Sequence, residues 1–440
     1  MNTPILDFVK EYVKTDPLRC HMPGHKGSGP LGVEKMDITE IDGADELYHP
    51  DGIIAQSEAN ASRVFGCLTF YSTEGSSQCI RAMLQLCCLK AKADGQKCRV
   101  LAGRNAHATF LSAAALLDIE VDWLWGCDSY YLACHIEVND LEAELKKGGI
   151  TAVYITSPDY LGNMADVAAM AKVCHKYGVL LAVDCAHGAY LKFLPKSKHP
   201  IDLGADLCCC SAHKTLPVLT GGAYLQVGGA HAQFFAQRAK EALRLFGSTS
   251  PSYLILQSLD GANSYLDGEY PAKLACLVQQ LTKTKQRLID TGYTLVGDED
   301  TKLSIDSAKY GYRGGELAGL LIQNNIVPEY YDDSFVVLMF SPGQDTETVE
   351  KVLLRIPQQE AVIKSSPAMC RPEKVMSVRE AALALWERVP VADSVGKIAA
   401  MASVSCPPAV PVVMCGEKID ESCIKVMEHY GIKEISVVVK

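Results

Sequence analysis

Leu207-Cys-Cys-Cys-Ser-Ala-His-Lys-Thr215 is the stretch on which the fold turns: four apolar residues, then a serine, a histidine and a lysine. A short apolar run bounded by small and polar residues reads as a buried strand. Two upstream runs have the same character, Ala152-Val-Tyr-Ile-Thr156 and Val179-Leu-Leu-Ala-Val183, and Arg99-Val-Leu-Ala102 is a shorter one. Helical patterns stand between them. Ile80 to Lys92 closes near Gly95, Phe110 to Leu117 and Leu141 to Lys147 follow, and Val167 to Tyr177 closes at Gly178. Near-continuous apolar strands alternating with helices predict an α/β fold with a mainly parallel sheet. After Gly247 the pattern changes to long helical segments, Ser252 to Tyr265 and Ala272 to Asp290, then a strand Phe335 to Phe340 and a helix Thr346 to Leu354. The expected organisation is an N-terminal arm (1–35), a large sheet domain (36–270) and a smaller C-terminal α+β domain (271–440). A Ser/Pro-rich linker is expected near 365–372 and a rigid proline turn over Pro407 to Pro411.

The 440 residues are 48% hydrophobic and 21% charged, ample for a large core and for two or three domains. Lys plus Arg number 42 against 52 Asp plus Glu, a formal charge of -10. That balance, without any basic run, argues against a nucleic-acid partner and is compatible with a small cationic substrate. No apolar run approaches the roughly 20 residues needed to span a bilayer, and the start lacks an apolar signal core. Several of the 18 cysteines are adjacent within apolar segments (Cys87-Cys88, Cys208-Cys209-Cys210), and no CxxC pair has zinc-finger spacing. Free thiols packed as small hydrophobes point to a reducing cytoplasm and to no metal centre.

Four features along the sheet domain carry chemistry when taken together. A lysine at the end of a buried strand, Lys214, is costly to keep charged; burial lowers its pKa and frees the amine for a Schiff base with an aldehyde. Ser211 and His213 beside it offer donors to a phosphate, and Gly221-Gly222 allow close backbone approach. Asp184 ends the strand Val179 to Val183, where a carboxylate points into a ligand crevice. Opposite a pyridine nitrogen it would keep that nitrogen protonated, and Ala186 is small enough for a flat ring to lie on. Gly75-Ser76-Ser77-Gln78 opens a helix, a place where N–H groups and hydroxyls meet an anion. His107, after the strand Arg99 to Ala102, could stack on a ring. Each feature alone has an ordinary structural explanation; their order and placement do not.

The sequence resembles the ornithine/lysine/arginine decarboxylase family of pyridoxal-phosphate enzymes, on the aspartate-aminotransferase (type I) fold. The matching stretches run in family order over almost the whole chain. They begin with His21-Met-Pro-Gly-His-Lys-Gly27, Asp37-Ile-Thr-Glu40 and Tyr48-His-Pro-Asp-Gly52, and continue through Gly75-Ser-Ser77, Arg104-Asn-Ala-His107 and Thr156-Ser-Pro158. Asp184-Cys-Ala-His-Gly188, Ser211-Ala-His-Lys-Thr215, Ser248-Thr-Ser-Pro-Ser-Tyr253 and Pro407-Pro-Ala-Val-Pro411, leading to Gly416-Glu417, complete the set. The resemblance implies decarboxylation of lysine, arginine or ornithine, with polyamine synthesis as the default role. Pyridoxal 5'-phosphate would be held as an aldimine on Lys214, its ring nitrogen on Asp184, its faces against His107 and Ala186. Ser76, Ser77, Gln78, Ser211 and His213 would hold the phosphate. Thr249 and Ser250 would reach the phosphate of a partner subunit, so that a homodimer or higher homo-oligomer shares its sites. His25, in the arm, would line the site, and Glu329 and Glu417 would receive the distal cation of the substrate. The length resembles the short members of the family, which lack an N-terminal wing domain.

The chain departs from the family pattern at Glu74, where Asn is usual, and at Gln78-Cys79, Asp159, Leu161, Cys185 and Ala409. None of these removes Lys214, Asp184 or His107, so they bear on the substrate more than on the cofactor. Two rivals stand beside the decarboxylase: another reaction on the same fold, such as an aminotransferase using Arg313 or Arg379 for the α-carboxylate, and a catalytically silent regulatory homologue.

Overall fold

The computed structural model describes residues 1–127, 130–362, 368–400 and 409–439. Of the expected linker only 368–372 fall among these, and Pro407 and Pro408 of the proline turn lie outside them. Seven strands make up the α/β part of the chain, with parallel pairing in both of its units: β1 (Leu68–Ser72), β2 (Arg99–Gly103), β3 (Glu120–Leu124), β4 (Ala152–Thr156), β5 (Leu180–Asp184), β6 (Leu207–Cys210) and β7 (Ala223–Val227). By contact density the chain divides into two units, residues 1–96 with 167–272 and residues 97–166 with 273–440.

In the first unit β5 and β6 run parallel, in the register Ala182↔Leu207, Val183↔Cys208 and Asp184↔Cys209. β7 pairs antiparallel with β6 and with β1. Every residue of β5, β6 and β7 is buried, as expected where both faces of a sheet are covered. The helix Gly75–Ala93 packs on β1, β6 and β7, and Ile53–Phe65 packs on β1 and on the helix Tyr253–Asp267. Pro4–Thr15 is also a helix, buried through Pro4, Ile5 and Val9. Its first turn is fixed by the buried Asp260 carboxylate, which accepts from the N–H of Ile5 (2.9 Å) and Leu6 (3.0 Å) and from Ser57 Oγ (2.6 Å).

In the second unit β2 pairs parallel with β3 and with β4. The same unit holds an antiparallel sheet of β8 (Thr294–Val296), β9 (Lys302–Asp306), β10 (Tyr330–Tyr331) and β11 (Phe335–Met339), in the order β10-β11-β9-β8. A ribbon of β12 (Trp386–Pro390) and β13 (Glu434–Val438) closes over a core that includes Val389, Val412, Val426 and Val437. Among the described residues no helix is long and apolar enough to cross a membrane.

Candidate active site

The parallel pairing of β5 with β6 builds the centre of the first unit. The strand expected over Val179 to Val183 lies one residue later, so Asp184 is its last paired position rather than the residue beyond it. The residue is 2% exposed. Oδ1 accepts from the Ala186 N–H (3.1 Å) and from the Cys209 thiol (3.5 Å). These contacts turn the chain sharply after the strand and hold Ala186 beside the acid.

β6 runs into a one-turn helix, Ala212–Thr215, which carries His213 and Lys214. Lys214 Nζ lies 3.0 Å from His187 Nε2. His187 is buried, three residues after Asp184, and the sequence reading gave it no role. The D-x-x-H spacing on the turn after β5 is the signal that could have found it. His213 Nδ1 lies 3.0 Å from the Gly222 carbonyl; burial pushes its pKa below the ordinary imidazole value, and the neighbouring Lys214 charge pushes the same way.

Ser211 Oγ donates to Ser76 Oγ at 2.8 Å, joining the end of β6 to the first turn of the helix Gly75–Ala93. Gly75 enters that helix at φ +73° and donates its N–H to the Gly221 carbonyl (2.7 Å). The N-cap residue Glu74 makes no side-chain cap; its carboxylate accepts from the Ser248 N–H instead. With no side-chain cap at this helix start, the Ser76 and Ser211 hydroxyls beside the first turn form a place for an anion. Gln78 sits deeper: its amide accepts from Ser72 Oγ (2.5 Å) and donates to Tyr48 Oη and to the Leu243 carbonyl (both 2.9 Å). Thr249 and Ser250 are exposed on the loop before Tyr253–Asp267. His25 pairs with Asp37 (Nε2 to Oδ2, 3.2 Å) and accepts the Gly27 N–H on Nδ1 (2.9 Å).

The other expected residues belong to the second unit. His107 is the N-cap of the helix Ala108–Leu117, and its Nδ1 accepts the Thr109 N–H at 3.1 Å, which puts the ring proton of the neutral imidazole on Nε2. Arg104 and Glu417, 313 residues apart, form a buried two-pronged ion pair with both N–O distances 2.7 Å. Glu417 also accepts the Met414 N–H (2.7 Å), and Arg104 lies over the Trp125 ring. Burial raises the Glu417 pKa although Arg104 and the Met414 N–H draw it down. Both Glu417 oxygens are thus already engaged. Glu329 is exposed and accepts from Tyr160 Oη (3.1 Å). Of the two arginines considered for an α-carboxylate, Arg379 donates to the carbonyls of Ala115 and Leu116, whereas Arg313 is exposed.

The first unit alone therefore gathers a buried acid at a strand end, an amine 3.0 Å from an imidazole, and a hydroxyl pair at an uncapped helix start. A planar pyridine aldehyde phosphate suits that donor set: the amine matches the aldehyde, the acid the ring nitrogen, and the hydroxyls and N–H groups the phosphate.

A family described as Orn/Lys/Arg decarboxylase, major domain, matches residues 3–302, and its C-terminal domain matches residues 358–432. An arginine decarboxylase of Halalkalibacterium halodurans is 28% identical over 463 residues, spanning 96% of this chain and 91% of that protein. Among solved structures, a lysine decarboxylase of Francisella novicida superposes with a TM-score of 0.80 at 16% identity, over 99% of this chain and 81% of that one. A cysteine desulfurase of Thermococcus onnurineus, at TM-score 0.55 and 15% identity, covers 80% of this chain and 90% of its own. The fold is that of the type I pyridoxal-phosphate enzymes.

Proposed function

We propose that this chain, which belongs to the Orn/Lys/Arg decarboxylase family and is an amino acid decarboxylase, uses pyridoxal 5'-phosphate held at Lys214 to convert lysine, arginine or ornithine into the corresponding amine and carbon dioxide. The observation that carries the reading is the convergence, within one unit, of Asp184, Lys214 with His187, and the Ser76–Ser211 hydroxyl pair. Lys214 would carry the aldehyde carbon, Asp184 the protonated ring nitrogen, and Ser76, Ser77, Ser211 and the first-turn N–H groups the phosphate. When bound, the cofactor supplies the electron sink that takes up the bonding pair left at Cα as carbon dioxide leaves.

The chain's own groups do the rest. Asp184, fixed by the Ala186 N–H and the Cys209 thiol, would hold a proton at the pyridine nitrogen and so keep the ring electron-poor. Lys214 would hold the cofactor's aldehyde carbon, and with its Nζ 3.0 Å from His187 Nε2 the two would form a pair able to hold a proton and deliver it to Cα. His213, its pKa depressed, stays neutral near pH 7 and donates or accepts without adding charge. For His107 and for the distal-cation acids Glu329 and Glu417 the assignment rests on the family resemblance. Glu329 is the more available of the two acids, because Arg104 already holds Glu417. The cytoplasm, polyamine synthesis and a homodimer sharing its sites through Thr249 and Ser250 belong to the same proposal.

The test is a visible absorbance band present in the purified protein and absent in Lys214→Ala, together with carbon dioxide release across lysine, arginine and ornithine. Absence of release from all three, with transfer of the amino group to a keto acid, would replace the decarboxylation of a basic amino acid by transamination.

A further inference from the structure

On the face of the sheet turned away from Asp184 lies a second cluster that the reaction does not use. Side chains alternate along a strand, so Cys209, which meets Asp184, points to one face of β6, and Cys208 and Cys210 point to the other. Cys185, the residue after Asp184, comes to the same side: the sulfurs of Cys185, Cys208 and Cys210 all lie within 4.8 Å of one another. His199 stands next to this group, outside that common radius, with Nε2 3.7 Å from Cys210 Sγ. All four residues are 0% exposed.

We propose that Cys185, His199, Cys208 and Cys210 form a closed structural site for a thiophilic divalent cation of the zinc class. Zinc bonds of about 2.3 Å to sulfur and about 2.0 Å to nitrogen, set tetrahedrally, separate ligand atoms by about 3.8 Å (S to S) and about 3.5 Å (S to N). The Cys208–Cys210 sulfurs stand 3.8 Å apart and Cys210 Sγ stands 3.7 Å from the imidazole. Apolar packing would account for three thiols, but not for the polar groups aimed at them. His199 is fully buried and its Nδ1 has no hydrogen-bond partner. Its Nε2 and the Cys210 thiol converge on Gln226 Oε1, at 2.9 and 3.4 Å. Rotating the Gln226 amide would present N–H to a thiolate in place of the oxygen, which suits a site that carries net negative charge once loaded. Three thiol protons leave to solvent on binding, and the imidazole ligates as its neutral form. With four protein ligands no position is open for substrate. The metal would tie the end of β5 to β6 directly behind Asp184. A buried site of this kind fills as the unit folds.

The spacing C-x13-H-x8-C-x-C is not a zinc-finger pattern, which is why a search for CxxC pairs passes over it. The inference is independent of the cofactor reading.

The experiment is elemental analysis of the full-length protein, purified with its cofactor from zinc-supplemented cells and dialysed against a chelator. One zinc per chain is expected, retained in Lys214→Ala and in Cys209→Ser, and reduced to background in Cys208→Ser/Cys210→Ser. In case that variant does not fold, protein from cobalt-supplemented cells gives a reading without mutation: four-coordinate cobalt with thiolate ligands has intense ligand-field and sulfur-to-metal charge-transfer bands. Substoichiometric metal with no such bands would overturn the proposal. So would metal content unchanged in the folded double variant, or a disulfide among the three cysteines found by mass.

Discussion

At the scale of single residues, the site depends on groups whose polar atoms are already committed by the fold. Lys214 and Asp184 could be named from the sequence because each stands at or just past the end of an apolar run, and because their order with the other motifs sets them apart from ordinary structural residues. His187 was not. A histidine in a turn looks ordinary until the 3.0 Å contact with Lys214 Nζ is seen. Replacing it by Asn should lower kcat by about 10²- to 10⁴-fold, the usual range for loss of a proton-transfer group, while the cofactor absorbance persists. Steady-state kinetics with parallel spectra checks this; an unchanged kcat would remove His187 from proton transfer. The Arg104–Glu417 pair was equally hidden, since local pattern carries no information about a partner 313 residues away. Glu417→Gln leaves a buried guanidinium uncompensated and should cost about 3–5 kcal/mol in denaturant unfolding. A loss under ~1 kcal/mol would mean that Arg104 is solvated or paired elsewhere.

At the scale of elements, the buried strands Ala152–Thr156 and Leu207–Cys210 stand where the apolar runs put them, and the helices drift by a few residues at their ends. The elements that were missed owe their form to distant partners. Pro4–Thr15 has charged residues around a narrow apolar stripe and gains its first-turn bonds from Asp260, more than 250 positions downstream. Burial raises the Asp260 pKa to about 6, against the pull of the Leu6 and Ile5 N–H groups and the Ser57 hydroxyl. The folded chain therefore holds this proton more tightly than the unfolded chain does. Its contribution to stability is present below the ordinary Asp range and is lost as pH rises through about 6. The melting-temperature difference between wild type and Asp260→Asn should shift against the wild type between pH 4 and pH 7; a flat difference would refute the linkage. Ala409 is a second local case. It holds φ +53°, where a Cβ is unfavourable by roughly 1–2 kcal/mol, and its carbonyl receives the Ala108 N–H (2.8 Å) beside His107. Ala409→Gly should raise stability by about 1 kcal/mol in chemical denaturation, and a decrease would show that the alanine methyl packs favourably there.

At the scale of the whole molecule, the alternating strands and helices made the α/β class readable, and motifs in a fixed order made the family readable. What stayed out of reach was the side-chain convergence across the sheet: which hydroxyl meets which, which acid is occupied, and which cysteines share a face. Ser76 and Ser211 could be proposed as phosphate donors from their settings, but their 2.8 Å contact with each other depends on the packing of a helix on β6. Cys208 and Cys210 were visible only as part of an apolar run. Their meeting with Cys185 follows from the β5–β6 register, and His199 reaches Cys210 from the segment between those strands.

The central claim is that one lysine joins cofactor and reaction. The most direct measurement is carbon dioxide release from carboxyl-labelled lysine, arginine and ornithine by wild type and Lys214→Ala, with absorbance spectra of the same samples. The account predicts a visible band and release from at least one of the three amino acids in the wild type, and loss of both in a folded Lys214→Ala. A folded Lys214→Ala that keeps the band and the release, or a wild type that has the band and releases nothing from any of the three, would contradict it.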